Sequence, residues 1–475
     1  MNILVDERKA QGAARRVAII GGGFGGVMVA ANLTRGEFAG EIDIFETAPL
    51  GGGVAYADTG EWQLNVRADR MGAFADQIDG FYRWLVRNGH EYEASDYAPR
   101  ALYGRYLAEI ATDTLRGGGE ADGVVRHRPS RVQSVRVAGS GGGYLVEAEG
   151  AAAQRYDAVV LCVGLGPPRE LAELSAVHGD RRVLDSPWRV SRYDAIRRRD
   201  PVVIVGSGLT ALDAVAELER RGHLGAVTLI SRRGITSRPQ VSPLPVALPV
   251  TAFADLLKPG TTLKKLVRLV RAMIAHEHAR GGDWRSVIDG LRPITAQLWR
   301  RLDERERARF VARLALWWDV HRHRAPPAVH AALERGLSSG RVEVLAGRIV
   351  GAKGDDTALT LTLAQRGRSA LIHRRASWVI NCTGPSPDPR TWGNPLLSDL
   401  LMRGLLQVDS LPLGVRTDQH GRPLGADGEP APSLFVLGSL RRADLWESIA
   451  VPELREQAAS VADCLIALDA APAKR

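Results

Sequence analysis

Val17-Ala18-Ile19-Ile20-Gly21-Gly22-Gly23-Phe24-Gly25-Gly26 is the stretch on which the reading of this chain turns. A short apolar run stops at glycines, and an alanine-rich segment with helical spacing continues to about Arg35. A second strand pattern follows, Ile42 to Glu46. Strand, tight turn, helix and strand in this order make a βαβ unit of a parallel sheet. The glycines fit G-x-G-x-x-G, in which each has a task. Gly21 permits the tight turn, Gly23 lets the backbone approach a pyrophosphate, and Gly26 lets helix and strand pack closely. The free N–H groups and positive dipole end of the helix then face the phosphates. Glu46, closing the second strand, is suited to accept hydrogen bonds from both hydroxyls of an adenosine ribose.

The same grammar returns in mid-chain. Val202 to Val205 leads into Gly206-Ser207-Gly208-Leu209-Thr210-Ala211, a helix to about Arg221, and the strand Val227 to Ser231. Gly206, Gly208 and Ala211 fit G-x-G-x-x-A. Ser231 stands as far past Gly206 as Glu46 stands past Gly21, so the two units are in register. Here the carboxylate is replaced by Ser231-Arg232-Arg233. A ribose 2′-phosphate repels a carboxylate and favours guanidinium donors, so Arg232 and Arg233 point to NADPH over NADH; a solvated basic loop is the competing reading. Two such units in one chain predict an α/β, two-dinucleotide-binding-domain (Rossmann-like) flavoprotein. FAD would reside on the first unit, and NAD(P)H would visit the second.

Other segments suit that reading. Gly51-Gly52-Gly53-Val54-Ala55-Tyr56 would carry backbone past the pyrophosphate and ribityl chain, with Gly53 closest. Asp157 to Gly164 and Trp378 to Gly384 each run from strand to glycine, as the returns between two such domains do. The strand Leu434 to Leu437 leads to Gly438-Ser439, where many flavoproteins carry Gly-Asp for the ribityl chain. The final helix begins near Val451, ahead of Pro452, and its N-terminus suits the side of a flavin where negative charge gathers on reduction; a surface helix is the alternative.

Composition narrows the classes. Hydrophobic residues make up 45% and charged residues 25% of the 475, as in an ordinary globular protein. The first apolar run ends after four residues, too short for a signal segment or membrane span, so the chain is read as cytoplasmic. Cys162, Cys382 and Cys464 form no Cys-x-x-Cys pair, which disfavours a dithiol centre, a zinc ribbon or another metal site. The net charge of +9 comes from arginines spread among acids rather than from a dense stripe. Attraction of anionic cofactors and a small anionic or zwitterionic substrate explains it better than nucleic acid does.

The expected organisation is a discontinuous FAD domain, residues 14–195 and 375–475. A nicotinamide-nucleotide domain, 200–240 and 338–374, is inserted in it and carries a helical, tryptophan-rich excursion, 241–337. A hairpin is expected over Val132 to Ala148, turning around Gly139 to Gly143. Oligomeric state is not legible.

These motifs resemble those of the bacterial FAD/NAD(P)-binding proteins that include a flavin-dependent urate hydroxylase and an L-aspartate N-hydroxylase. The resemblance spans nearly the whole chain. It takes in Leu64-Asn65-Val66, Phe81-Tyr82-Arg83-Trp84-Leu85, Asp185-Ser186-Pro187-Trp188, Trp318-Asp319-Val320-His321-Arg322-His323-Arg324, Asn381-Cys382-Thr383-Gly384-Pro385 and Trp446 to Arg455. It implies a monooxygenase that uses NAD(P)H and O2 to hydroxylate a small polar substrate, with urate to 5-hydroxyisourate as the most concrete case. Amino-acid N-hydroxylation and electron delivery to a partner protein are the alternatives. Trp318, His321, Arg322 and Arg324 set rings beside cationic donors able to hold a flat anion or a carboxylate. The plainer reading makes the tryptophans core and pairs the arginines with acids. Asn65 is a further candidate for the flavin face, through the resemblance alone.

Overall fold

A computed structural model describes residues 15–117, 124–139 and 142–470. The strands in chain order are β1 (Arg16–Ile20), β2 (Glu41–Phe45), β3 (Val124–Arg128), β4 (Val132–Val137), β5 (Tyr144–Ala148), β6 (Gln154–Tyr156), β7 (Ala158–Leu161), β8 (Val183–Leu184), β9 (Val202–Val205), β10 (Val227–Ser231), β11 (Val342–Gly354), β12 (Leu359–Gln365), β13 (Leu371–Ala376), β14 (Trp378–Asn381) and β15 (Leu434–Val436).

The first compact unit holds the chain up to Ala57, Arg67–Gly166 and the chain from Pro387. Its main sheet runs β15-β7-β1-β2-β3, all parallel. Val17 to Ile20 and Ala158 to Leu161 are buried throughout, as expected of strands covered on both faces. On one face lies the antiparallel sheet β4-β5-β6, with Val135, Val146, Val159, Leu161, Leu397 and Val436 in the shared core. The helix Phe24–Arg35 packs against the helices Arg100–Arg116 and Val451–Ala470. The hairpin β4–β5 pairs Val132 with Ala148 at its open end; the Ser140-Gly141 tip lies outside the described residues. Asp43 is fully buried in β2 and accepts hydrogen bonds from Arg16 (3.2 Å), Arg128 (2.9 Å) and the Tyr156 hydroxyl (2.7 Å). Three donors make that burial tolerable.

The second unit comprises Asp58–Val66 and Pro167–Ser386. Its sheet runs β13-β12-β11-β10-β9-β14-β8. The strands β8, β14, β9, β10 and the start of β11 are parallel, and β11-β12-β13 form an antiparallel meander. The helices Leu209–Arg220 and Pro327–Ser338 pack together on one face over Leu212, Val215, Ile204 and Leu229. Trp62 joins that core, which ties the short segment Asp58–Val66 to this unit. The helices of 263–322 gather their own core around Phe253, Leu256, Val287 and Leu291.

Compactness divides the chain at Gly166/Pro167 and Ser386/Pro387, whereas the sequence placed domain changes near 195 and 375. The difference has a plain cause. β8 and β14 hydrogen-bond into the β9 sheet, so the residues on either side of the expected boundaries travel with it. Among the described residues no helix is long and apolar enough to cross a membrane.

Candidate functional site

In the first unit the carboxyl edge of the parallel sheet gathers four loops. Gly21, at φ +106°, makes the turn after β1, and its N–H donates to the Phe45 carbonyl at 2.9 Å. A Cβ on Gly21 would stand 2.1 Å from the Cys162 carbonyl oxygen, just past β7, and one on Gly26 would stand 1.9 Å from the Gly21 oxygen. Both positions are closed to a side chain by packing.

Gly23 is different. A Cβ there would meet only the Gly53 Cα, at 3.8 Å, so its bare backbone faces space rather than protein. Gly23 is also the N-cap of the helix Phe24–Arg35, and no side chain caps it. The helices Leu263–Ala279, Trp284–Gly290 and Glu304–Arg313 are capped by Thr262, Asp283 and Asp303, while Arg100–Arg116 and Pro327–Ser338 start without a side-chain cap. It is the open space beside Gly23 together with the missing cap that marks this start. A helix start left without a side-chain partner beside open space is what an anionic group requires.

The remaining loops complete the cradle. The Gly51 N–H donates to the Gly22 carbonyl at 2.8 Å, which sets the second glycine loop against the first. Glu46 Oε2 accepts from the Gly22 N–H at 3.1 Å, and its Oε1 from the Ala48 N–H at 3.1 Å. The Ser439 hydroxyl donates to the Gly164 carbonyl, joining the turns after β15 and β7.

The second unit repeats the device. Gly206, at φ +122°, donates to the Ile230 carbonyl at 2.8 Å, and a Cβ on it would lie 2.4 Å from the Cys382 oxygen. Gly208 is the N-cap of the helix Leu209–Arg220, without a side-chain cap, and a Cβ there would meet nothing within 4 Å. Ala211 is fully buried at the position of Gly26. The Ser207 hydroxyl donates to the Ile235 carbonyl at 2.6 Å and accepts from the Ser231 hydroxyl at 2.8 Å, so Ser207 and Ser231 are joined where Gly22 and Glu46 are joined in the first unit. Arg232 and Arg233 follow, both exposed. Gly384, two residues past Cys382, has open space around it, as does Gly164, two residues past Cys162. Both cysteines are buried thiols. Burial pushes the Cys162 thiol up to about 12 and raises Cys382 further.

Comparison with known proteins agrees with this geometry. A family model described as FAD-NAD(P)-binding matches residues 18–166. No curated protein matches the sequence. Among solved structures, L-lysine 6-monooxygenase from Pseudomonas syringae superposes with a TM-score of 0.65 at 16% identity, over 95% of this chain and 99% of that one. The ornithine N-hydroxylase of Kutzneria sp. 744, solved with reduced FAD, NADP+ and L-ornithine, gives 0.63 at 16%, over 96% and 99%. A thioredoxin reductase of Lactococcus lactis gives 0.53 at 13%, over 96% and 99%.

The fold is that of a two-dinucleotide flavoprotein.

The flavoprotein fold brings the cradle residues expected from sequence into two groups. Gly21, Gly23, Gly26, Glu46, Gly53, Gly438 and Ser439 belong to the first unit. Gly206, Gly208, Ala211, Arg232, Arg233 and Gly384 belong to the second, so Gly384 stands with the β9 sheet rather than with the first cradle. Val451 is buried at the start of its helix. One residue there escaped the sequence reading. Gln457, a turn and a half into the helix, accepts from the Gly438 N–H at 3.1 Å and donates to the Ser448 carbonyl at 2.9 Å, fastening the helix start to the turn after β15. A glutamine inside a helix carries no local signal for that.

The substrate candidates fall elsewhere. Trp318 is partly buried against the Phe253 and Val287 core. His321 Nδ1 lies 2.7 Å from the Trp317 carbonyl, and its ring meets Trp284 edge-on at 4.9 Å. Arg324 is 3% exposed; it donates to both Asp289 oxygens at 2.7 Å and to Gln240 at 2.8 Å. With those donors committed, Arg324 ties the end of the helix Ala315–Arg322 to the helix Trp284–Gly290 and to Gln240. Arg322 is buried at that helix end. Asn65 is half-buried in the Asp58–Val66 segment of the second unit.

Proposed function

We propose that this protein is an FAD-dependent, NADPH-consuming monooxygenase that hydroxylates the amine nitrogen of a small amino acid or diamine with O2. The observation that carries the reading is the duplicated cradle. Two uncapped helix starts, at Gly23 and Gly208, each face open space at the carboxyl end of a parallel strand. One has a carboxylate, Glu46, in register at the end of the next strand, and the other has a serine and two exposed arginines.

FAD, when bound, accepts hydride from the nicotinamide and activates O2. The chain's own part is holding and orienting. The N–H groups at the start of the helix Phe24–Arg35 would hold the flavin nucleotide's pyrophosphate, and Glu46 its ribose hydroxyls. Gln457 fixes the Val451 helix start, whose positive end would favour negative charge on a flavin ring held beside it. The start of the helix Leu209–Arg220 would hold the second pyrophosphate, and Arg232 and Arg233 the 2′-phosphate.

The cysteines speak against a disulfide reductase in particular. Cys162 and Cys382 are buried neutral thiols beside the two turns, and the three cysteines of the chain include no Cys-x-x-Cys pair. Between hydroxylation targets, likeness to the lysine and ornithine enzymes supports an amine nitrogen. Urate, favoured by the motif resemblance, becomes the second reading.

The deciding experiment follows NADPH oxidation and O2 uptake by the flavin-loaded protein with ornithine, lysine, cadaverine, aspartate or urate, and assays the hydroxylamine formed. An amine that stimulates oxidation and yields hydroxylamine is the expected result. Stimulation by urate alone would transfer the assignment to carbon hydroxylation. Oxidation indifferent to every substrate, with peroxide as the product, would end the monooxygenase reading.

A further inference from the structure

Ala346, in β11, is a junction of three chain segments in the second unit. It lies level with Ser231 of β10 in parallel register. Its carbonyl accepts the Arg366 N–H at 2.8 Å, at the end of β12. A Cβ on Gly234 would stand 3.1 Å from the Ala346 nitrogen, so the Arg232-Arg233-Gly234 loop runs directly against it.

Each segment carries exposed arginines. Arg232 and Arg233 leave β10, Arg348 sits where β11 continues past the end of β10, and Arg366 and Arg368 occupy the loop that joins β12 to β13. Residues opposite one another in an antiparallel pair share a face, as do residues two apart on one strand. Arg366 opposite Ala346, and Arg348 two residues past it, therefore stand on one face, the one that Gly234 touches. Among the described residues none of the five is in an ion pair. Other arginines of the second unit are matched: Arg374 of β13 with Glu343 of β11 at 3.0 Å, and Arg341, just before β11, and Arg335, on the helix Pro327–Ser338, with Glu219. Uncompensated like charges repel one another, and a concentration of them in one corner becomes favourable when an anion fills it.

We propose that Arg366, supported by Arg348 and Arg368, completes the site for the 2′-phosphate of the visiting nicotinamide nucleotide. The choice of cofactor is then set from the antiparallel meander as well as from the βαβ turn. Ser231 and Arg366 are about two strand spacings apart, roughly 10 Å, a gap that long side chains close from opposite sides around a phosphate. This rests on the assignment of the second cradle to NADPH, and the test separates the two.

The full-length, flavin-loaded protein is titrated calorimetrically with 2′,5′-ADP, with 5′-ADP and with inorganic phosphate. Arg366→Ala is expected to weaken 2′,5′-ADP about tenfold, the loss of one charge-assisted contact, while 5′-ADP changes by less than about twofold. Arg366→Lys should recover part of the loss, and Arg348→Ala with Arg368→Ala should act in the same direction. If Arg232→Ala with Arg233→Ala weakens 2′,5′-ADP selectively but the meander variants do not, the inference fails and the NADPH assignment stands. If neither set has a selective effect, both fail. Inorganic phosphate binding as tightly as 2′,5′-ADP would mean a general anion patch, which also overturns the proposal.

Discussion

The Gly22 N–H donates to Glu46 Oε2 at 3.1 Å, and at the matching place in the second unit the Ser207 and Ser231 hydroxyls are hydrogen-bonded at 2.8 Å. The same joint, from the glycine turn to the end of the neighbouring strand, is made once with a charge and once without. A carboxylate at that place suits two free ribose hydroxyls and repels a phosphate, whereas a serine does not, and the proposed assignment of the two cofactors rests on that difference.

Glu46→Ala should therefore strip flavin from the protein. A hydrogen bond to a charged group contributes about 1.5–3 kcal/mol, so FAD affinity should fall by about one to two orders of magnitude, with Glu46→Gln in between. The ratio of flavin to protein absorbance after gel filtration measures it. Full flavin content in Glu46→Ala would remove this carboxylate from the site.

Gly206 and Gly208 should respond to alanine in opposite ways. At Gly206 a methyl meets the Cys382 carbonyl at 2.4 Å and φ is +122°, so Gly206→Ala is expected to cost about 3 kcal/mol or more. At Gly208 the methyl meets nothing, so Gly208→Ala should keep the urea midpoint of wild type while NADPH affinity drops about tenfold. Unfolding curves without nucleotide, beside NADPH titrations, distinguish the two. Equal stability losses would contradict the open space at Gly208.

The buried thiols predict an alkaline limb of stability. Burial favours the neutral form, raising Cys162 from the usual 9.0 to about 12 and Cys382 higher. The contribution is therefore complete below pH 9.0. It is lost as pH rises towards about 12, because the unfolded chain gives up these protons while the folded one keeps them. Cys162→Ala with Cys382→Ala should flatten that decline in the urea midpoint. Thiol labelling of folded protein at about pH 8 should reach Cys464 alone, the half-buried one.

Arg324→Ala should act on stability rather than on substrate. Removing one partner of a buried pair costs about 3–5 kcal/mol. Because Asp289 remains about a quarter exposed, about 2–3 kcal/mol is the better expectation. KM for substrate should stay near wild type once the protein is folded, at low temperature. A large rise in KM with an unchanged Tm would restore Arg324 as a substrate anchor.

Sequence alone determined the two βαβ units, their register and the asymmetry between Glu46 and Ser231. These are local matters, in which glycine, β-branched runs and one strand-end residue dictate the chain's path within a few residues. Tertiary structure decided what depends on distant segments meeting. It placed β8 and β14 in the second sheet, because pairing partners far apart in the chain compete for the same edge and periodicity does not name the winner. It supplied Gln457 as the tie to Gly438 and committed Arg324 to Asp289, since a polar side chain's partner is set by packing rather than by its neighbours in sequence. It also brought Arg366 to the end of β10, across strands that the sequence shows only as separate runs.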